Sequence, residues 1–553
     1  MSEKQKTNNL HHTRKIGVKE SGASQTIVSS SPLYDTVLKY TFFPLLLLIV
    51  IIFLCACPIE EYDIWFHMGF ARYVLQHKAF PPGDVFSFTS PGREWISTGW
   101  LTSIILYWLW EKIGNGQNTI GLAFFVFAQV LAAYFAIYIS AARRRVHAVM
   151  TLFLLGSLLT ACLRLNPRPD LCSQLLISLV LLLLVTSEKM APRQFKVSYT
   201  GKWQPPTIPP PGWGRLWALP PLILLWVNLH VGFLVGVVVV AIYAAHRFWR
   251  WFKGHDKNDL LALIPCALCG IIWLVNPYGI RVLSLPSKIK SVPGVTEMLF
   301  EWMPFFVWNG RNLPNFIFIG MGFLLAFYIL TLFLRTTRLP WWHLVTAAFF
   351  IIITWNARRQ MALIALAIPI LALPHLEGIN RILTRNRFIV PALATITTII
   401  LCLMQFSGYL VGTTGLPTMR LNTTYFPIGA TQFLKIHRPP ANMFNSYHFG
   451  GYLLYYLGPE TKVFIDGRID TYDPAIWVDD RAIEAGTLSI DEACRRYHLN
   501  TFVLDKRPQF DPGNFVQRLK DQSDMMIIYE DSISIVLVRR SPETEEYLKS
   551  LLQ

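Results

Sequence analysis

Residues Phe42–His67 read FFPLLLLIVIIFLCACPIEEYDIWFH. From Phe42 to Leu54 there is no charged side chain, and then Glu60, Glu61 and Asp63 arrive within four positions. An uncharged apolar run of this kind is stable as a helix in hydrocarbon, where every backbone polar group must be satisfied internally. The carboxylates that follow mark its exit into water.

Working outward, Leu175–Val185, Leu222–Ile242 and Ile389–Met404 repeat the pattern. Several of these runs are long enough to cross about 30 Å of hydrocarbon as helices. With 53% hydrophobic and 14% aromatic residues over 553 positions, the chain is too apolar for a soluble protein of its length. The expected fold is an α-helical polytopic membrane protein of about 11 helices, with a small C-terminal extracytoplasmic α/β domain.

The net charge of +16 divides unevenly. The first 411 residues hold 35 basic and 16 acidic side chains, whereas Gly412 onward holds 15 and 18. The basic residues cluster between apolar runs, as cytoplasmic loops do, so topology accounts for them and no nucleic-acid partner is expected. Of eight cysteines only Cys494 lies outside the apolar part, which excludes a disulfide framework in the C-terminal domain.

These clusters set the expected sidedness. Residues 1–40 form a disordered cytoplasmic tail, residues 41–411 a transmembrane domain with an external loop at 58–96, and residues 412–553 a soluble domain outside. The cytoplasmic anchors are Arg143–Arg145, Lys189–Arg215, Arg247–Lys257, Arg335–Arg338 and Arg381–Arg387. Trp217–Phe248 is too long for one untilted pass and should turn around Asn228-Leu229-His230. A segment at 98–113 either lies in the interface or breaks the positive-inside rule once. Beyond Gly412, Ala441–Phe444, Lys462–Ile465, Thr501–Leu504, Met525–Tyr529 and Ile533–Val538 read as buried strands. Between them, Tyr452–Leu457, Ile476–Ala485 and Ile490–Tyr497 read as helices.

With that sidedness, the unusual polar residues gather at one face. Glu60, Glu61, Asp63, His67, Arg168, Asp170, Asn228, His230, Glu297, Glu301, Arg358 and Arg359 all fall at external helix tips. Ionisable groups at such depths mark functional pathways. A carboxylate here can accept a proton from a hydroxyl or bind a divalent cation. Arginine suits a phosphate through its rigid fork of donors, and snorkelling toward headgroups is the competing role. His230 reads as a proton carrier or as a satisfied polar tip.

Asp63-Ile-Trp65-Phe-His67-Met-Gly69, then Phe80-Pro-Pro-Gly-Asp84-Val-Phe-Ser-Phe-Thr89, Trp95 and Trp100-Leu101, resembles the first external loop of a group of multi-spanning bacterial membrane proteins. That loop reads roughly D-x-W-W-H-L-x-x-G, then P-x-x-D-P-F-S-F-T and a tryptophan. Trp226-Val-Asn228-Leu-His230, Asn276-Pro-Tyr-Gly279, Arg359, Asn445–Leu453 and Phe464–Tyr472 extend the likeness over residues 41–505. The group is similar to a branch of the C-type glycosyltransferase superfamily, which includes protein mannosyltransferases and aminoarabinose transferases. Two departures stand out: Phe66 replaces a second tryptophan, and Ser97-Thr98-Gly99 stands where a His-Glu pair is usual.

The resemblance implies a polyprenyl-phosphate-linked sugar as donor, a glycan, lipid or protein as acceptor, and membrane lipid as surroundings. It implies Asp63 as base with Glu60 or Glu61 assisting. Arg358, Arg359 and Arg168 would hold the phosphate, with His230, Asn228, His67 and Trp65 beside them. Independently of the resemblance, Asp466-Gly467-Arg468 and Asp470 follow a buried strand, at the end where α/β folds bind ligands. They are expected to touch the acceptor or cap the cavity, the alternative being that Asp466 and Arg468 pair to hold the loop, with Gly467 allowing a tight turn. A divalent cation stays open as cofactor. The competing readings are a non-catalytic or transport component of envelope polysaccharide assembly, and a polysaccharide ligase.

Overall fold

The computed structural model of the protein describes residues 32–188, 213–294, 299–307, 313–408 and 420–551. Most of the expected 1–40 tail, Glu297 and nearly all of the Lys189–Arg215 stretch lie outside the described residues.

Six described helices are long and apolar enough to cross a membrane: Leu33–Cys55, Ile120–Arg143, His147–Arg164, Phe233–Gly254, Asn315–Phe333 and Ile389–Phe406. A bent pair, Arg358–His375 with Glu377–Leu383, raises this to seven. Asp170–Thr186 and Trp341–Asn356 are apolar but shorter. The chain is thus a multi-pass membrane protein, with fewer full-length helices among the described residues than the eleven expected. Segment 98–113 yields a helix over Trp100–Trp108 that continues as a π-turn to Ile113. Fourteen residues of helix span only about 21 Å, less than the hydrocarbon thickness.

The first helix begins at Pro32 rather than near 41. Leu33, Val37 and Tyr40 are scattered among polar residues, so hydropathy alone misses this turn, and Pro32 is well suited to a first helical position. The break expected in Trp217–Phe248 falls where predicted. One helix ends at Leu229, His230 is extended (φ −167°, ψ 146°), and the next helix starts at Phe233. The apolar loop sequence after the first helix forms Asp63–His77, an amphipathic helix whose buried face includes Trp65, Phe66 and Phe70.

Residues 420–551 carry a four-stranded sheet of β1 (Met443–Asn445), β2 (Thr501–Asp505), β3 (Met525–Glu530) and β4 (Ser534–Arg539). The order is β1-β2-β4-β3, with β1 and β2 parallel and the other pairs antiparallel. The fifth strand expected at Lys462–Ile465 does not form. Val463 makes single bridges to Ser87 and Met443, because its backbone groups bond the 58–96 loop instead. Helices Tyr447–Leu457, Pro474–Ala485 and Ile490–Tyr497 match the expected ones, while Ile428–His437 and Phe515–Lys520 are additional.

The sheet unit is joined firmly to the helical part. Ile59 pairs with Leu421, and Asn422 Nδ2 donates to Glu60 Oε1 at 2.9 Å. Trp65 packs among Trp110, Phe426 and Tyr452. At the join, Arg468 is fully buried with Asp84 (2.5 Å) and Asp466 (2.7 Å), stacked 4.7 Å from the Trp95 ring. Buried charges of this kind are tolerated only when paired and hydrogen-bonded.

Candidate functional site

Between the helix ends and the sheet unit lies a cavity with two connected branches. The larger, about 490 Å³, is lined by Asp63, Arg164, Arg168, Asp170, Glu301 and Arg359 together with Tyr62 and Tyr447. The second, about 320 Å³, shares His67, Thr98, His230, Trp302, Gly467 and Asp470 with the first. It then runs between Val231, Leu234, Val235, Leu285, Pro286 and Leu363, so one end is ionic and the other apolar.

Arg168 organises the ionic end. It meets Asp63, Glu61 (3.2 Å) and Glu301 (2.8 Å). The Pro167 and Pro169 flanks confine its backbone in the short turn between Arg164 and Asp170. Arg164, at the end of its helix, pairs with Asp170 (2.5 Å) and Glu301 (2.6 Å). Glu301 is itself fixed by main-chain bonds, since Arg359 N donates to its carbonyl and Arg358 N to that of Met303.

Four carboxylates (Glu61, Asp63, Asp170, Glu301) thus face three guanidiniums (Arg164, Arg168, Arg359), which leaves one negative charge in excess. The imbalance falls on the first two. Burial pushes the Asp63 carboxyl up to about 8, against the pull of Arg168, and Glu61 and Glu301 push it further. Glu61 is raised too, chiefly by burial. Burial also works against Glu301, but Arg168, Arg164 and Arg359 outweigh it and hold that group well below the usual carboxylate range.

Arg359 is the least committed cation of the set. Its nearest carboxylate, Glu301, is 4.0 Å away, and its guanidinium stacks on Trp302 at 4.5 Å. His230 has a defined tautomer. Gly232 N (3.1 Å) and Ser173 Oγ (2.7 Å) both donate to Nδ1, so the neutral ring carries its proton on Nε2. His67 bonds Ser103 Oγ at 2.9 Å, and burial, helped by Arg168, lowers it to about 3, so it is neutral.

The other expected site residues are placed elsewhere. Arg358 is turned away, its Nε donating to Pro304 O at 2.9 Å and its guanidinium over the Phe300 ring, where it holds the loop. Glu60 binds Asn422, Trp65 lies in the aromatic core, and Asn228 accepts from Trp100 Nε1 (2.9 Å). Asp466 lies outside the cavity in the Arg468 cluster, and Arg468 reaches only its wall. Glu301 and Asp170 join the cavity from the external polar set, and Asp470 joins it from the turn after the strand expected at Lys462–Ile465, whereas Arg164 and Tyr447 line it without having been singled out. For Arg164 the available signal was a lone arginine at an apolar helix end.

A divalent cation does not fit the side chains as arranged. No three His, Cys, Asp or Glu groups among the described residues converge on a place for an ion. Glu61, Asp63, Asp170 and Glu301 are each paired with Arg164 or Arg168.

No family model matches the chain, and no curated protein matches it. Among solved structures it is similar to the apo oligosaccharyltransferase of Archaeoglobus fulgidus, with a TM-score of 0.54 and 11% identity. The match covers 91% of this chain and 75% of that one. At that identity the shared property is the fold.

Proposed function

We propose that the protein is an integral-membrane glycosyltransferase that moves a sugar from a polyprenyl-phosphate carrier to an acceptor hydroxyl on the extracytoplasmic face. One observation carries the reading: a buried carboxylate, Asp63, and a lightly paired arginine, Arg359, line the same cavity, whose other end is apolar and lies between helices. A lipid phosphate has this division of character. The archaeal neighbour's fold agrees with it. Residues 412–553 then form an extracytoplasmic domain that closes the cavity from above, and the membrane is the inner or cytoplasmic one of a cell with an envelope.

In the proposed reaction Asp63 takes the proton of the acceptor hydroxyl as its oxygen attacks the anomeric carbon. The bond from that carbon to the phosphate oxygen breaks, and its electron pair leaves with the lipid phosphate. Arg359 and the Nε2–H of His230 hold the growing negative charge, in a site preorganised by the Glu301 and Asp170 pairs. Arg168 sets the position and protonation of Asp63.

The test is transfer of radiolabelled sugar from polyprenyl-phosphate monosaccharides in proteoliposomes. Asp63→Asn should lower turnover by about 10²–10⁴-fold, the usual worth of acid–base catalysis, with donor binding nearly intact. Wild-type transfer by this variant would sink the reading and favour a non-catalytic assembly component.

A further inference from the structure

We propose that Asp470, from the sheet-bearing unit, is the carboxylate that reads the hydroxyls of the transferred sugar. The inference rests on the glycosyl-transfer reading above and assigns the part of the cavity where the saccharide sits.

Asp470 lies in the short turn Ile469–Thr471 and lines both branches of the cavity where they meet. A sugar joined to a phosphate at Arg359, with its anomeric carbon within reach of Asp63, has to occupy that junction. Thr98 and Trp302 line the same junction and offer a hydroxyl and an aromatic face.

The state of Asp470 supports this. Its Oδ2 is shielded from solvent and accepts no hydrogen bond from any described residue. An unmet buried acceptor costs roughly 1–3 kcal/mol, so a site retains one where a ligand supplies the donor. The two cations near enough to act on it are both engaged. Lys288 Nζ donates to Glu94 at 2.8 Å, and Arg468 is held by Asp84 and Asp466. Burial leaves the Asp470 carboxyl raised to about 6 despite both. Its position is nonetheless firm, because Arg468 anchors the turn, with its carbonyl accepting from Thr471 N at 2.9 Å. A rigid carboxylate with an open acceptor is suited to neutral polyol hydroxyls.

The experiment uses the full chain in lipid nanodiscs and measures binding by native mass spectrometry. The probes are undecaprenyl phosphate and a panel of undecaprenyl-phosphate-linked hexoses and pentoses. Asp470→Asn is expected to weaken the best-bound glycosylated lipid about tenfold, as loss of a charge-assisted hydrogen bond does, and to leave undecaprenyl phosphate within twofold. Equal weakening of both lipids, or of neither, overturns the role of Asp470 while the transfer reading stands. A wild-type chain that binds neither class of lipid overturns the transfer reading itself. If Asp470→Asn does not fold, Asp470→Ser takes the same measurement.

Discussion

Gly467 lies so close to Asp63 that a methyl group added to it would stand 2.3 Å from the carboxylate oxygen and 2.9 Å from the Phe66 ring. The proposed base is therefore positioned from two directions, by Arg168 of the helical part and by a side-chain-free segment of the C-terminal unit. Gly467 was expected to serve a tight turn, yet its role is close approach.

This relationship makes Gly467→Ala a test of positioning. The backbone there tolerates an alanine locally, so the fold should persist while Asp63 is displaced. Transfer should fall at least tenfold, since a displacement of about 1 Å can cost 10²-fold, with the thermal midpoint little changed. Unaltered transfer by a folded Gly467→Ala protein would mean that Asp63 does not need this position.

A second prediction concerns the Arg468 cluster. Removing the guanidinium leaves Asp84 and Asp466 buried without a counter-charge, and breaking one partner of a buried pair costs about 3–5 kcal/mol. Arg468→Met should sharply lower the thermal midpoint of the detergent-solubilised protein. Adding Asp84→Asn and Asp466→Asn to Arg468→Met should recover part of the loss. An unchanged midpoint for the single variant would show that the sheet unit does not rely on this join.

Sidedness is open to a direct check. A reporter fused after Gln553 should be active outside the cytoplasm, and one placed within Lys189–Arg215 active inside. The same compartment for both would overturn the proposed extracytoplasmic site.

Much of the architecture could be read from the chain. Apolar runs gave the helices, and Asn228-Leu229-His230 gave the break, because polar groups interrupting such a run have to find partners at a helix end. The cavity was legible only as a set. Asp63, Arg168, His230 and Arg359 were expected to meet and do line one space. Arg358 and Arg359 could not be told apart, because adjacent residues at a helix start point to different sides and only packing against Phe300 and Trp302 decides which is which. Asp470 was read with Asp466 and Arg468 as one strand-end group, and what the chain could not separate was their parts. Its open acceptor depends on Lys288 and Arg468 being engaged elsewhere, which is a property of tertiary structure.

The last prediction is the pH dependence of transfer. A general base works only when unprotonated, and burial places Asp63 at about 8. Below that value the protonated fraction grows, so kcat/KM should rise with pH up to about 8 and level off above it. The neighbours give the sign of each shift. Glu61 raises Asp63 by repulsion, and it also competes for Arg168, to which it pairs at 3.2 Å. Glu61→Gln removes the repulsion and leaves Arg168 more fully to Asp63, so both effects stabilise the carboxylate and the rising limb should move to lower pH. Arg168→Gln acts in the opposite direction, because it deletes the main influence holding Asp63 down, and should push the limb higher. Asp63→Asn should abolish the limb. A wild-type profile that is flat from pH 6 to 9, or a Glu61→Gln profile displaced upward, would remove Asp63 from the role of base.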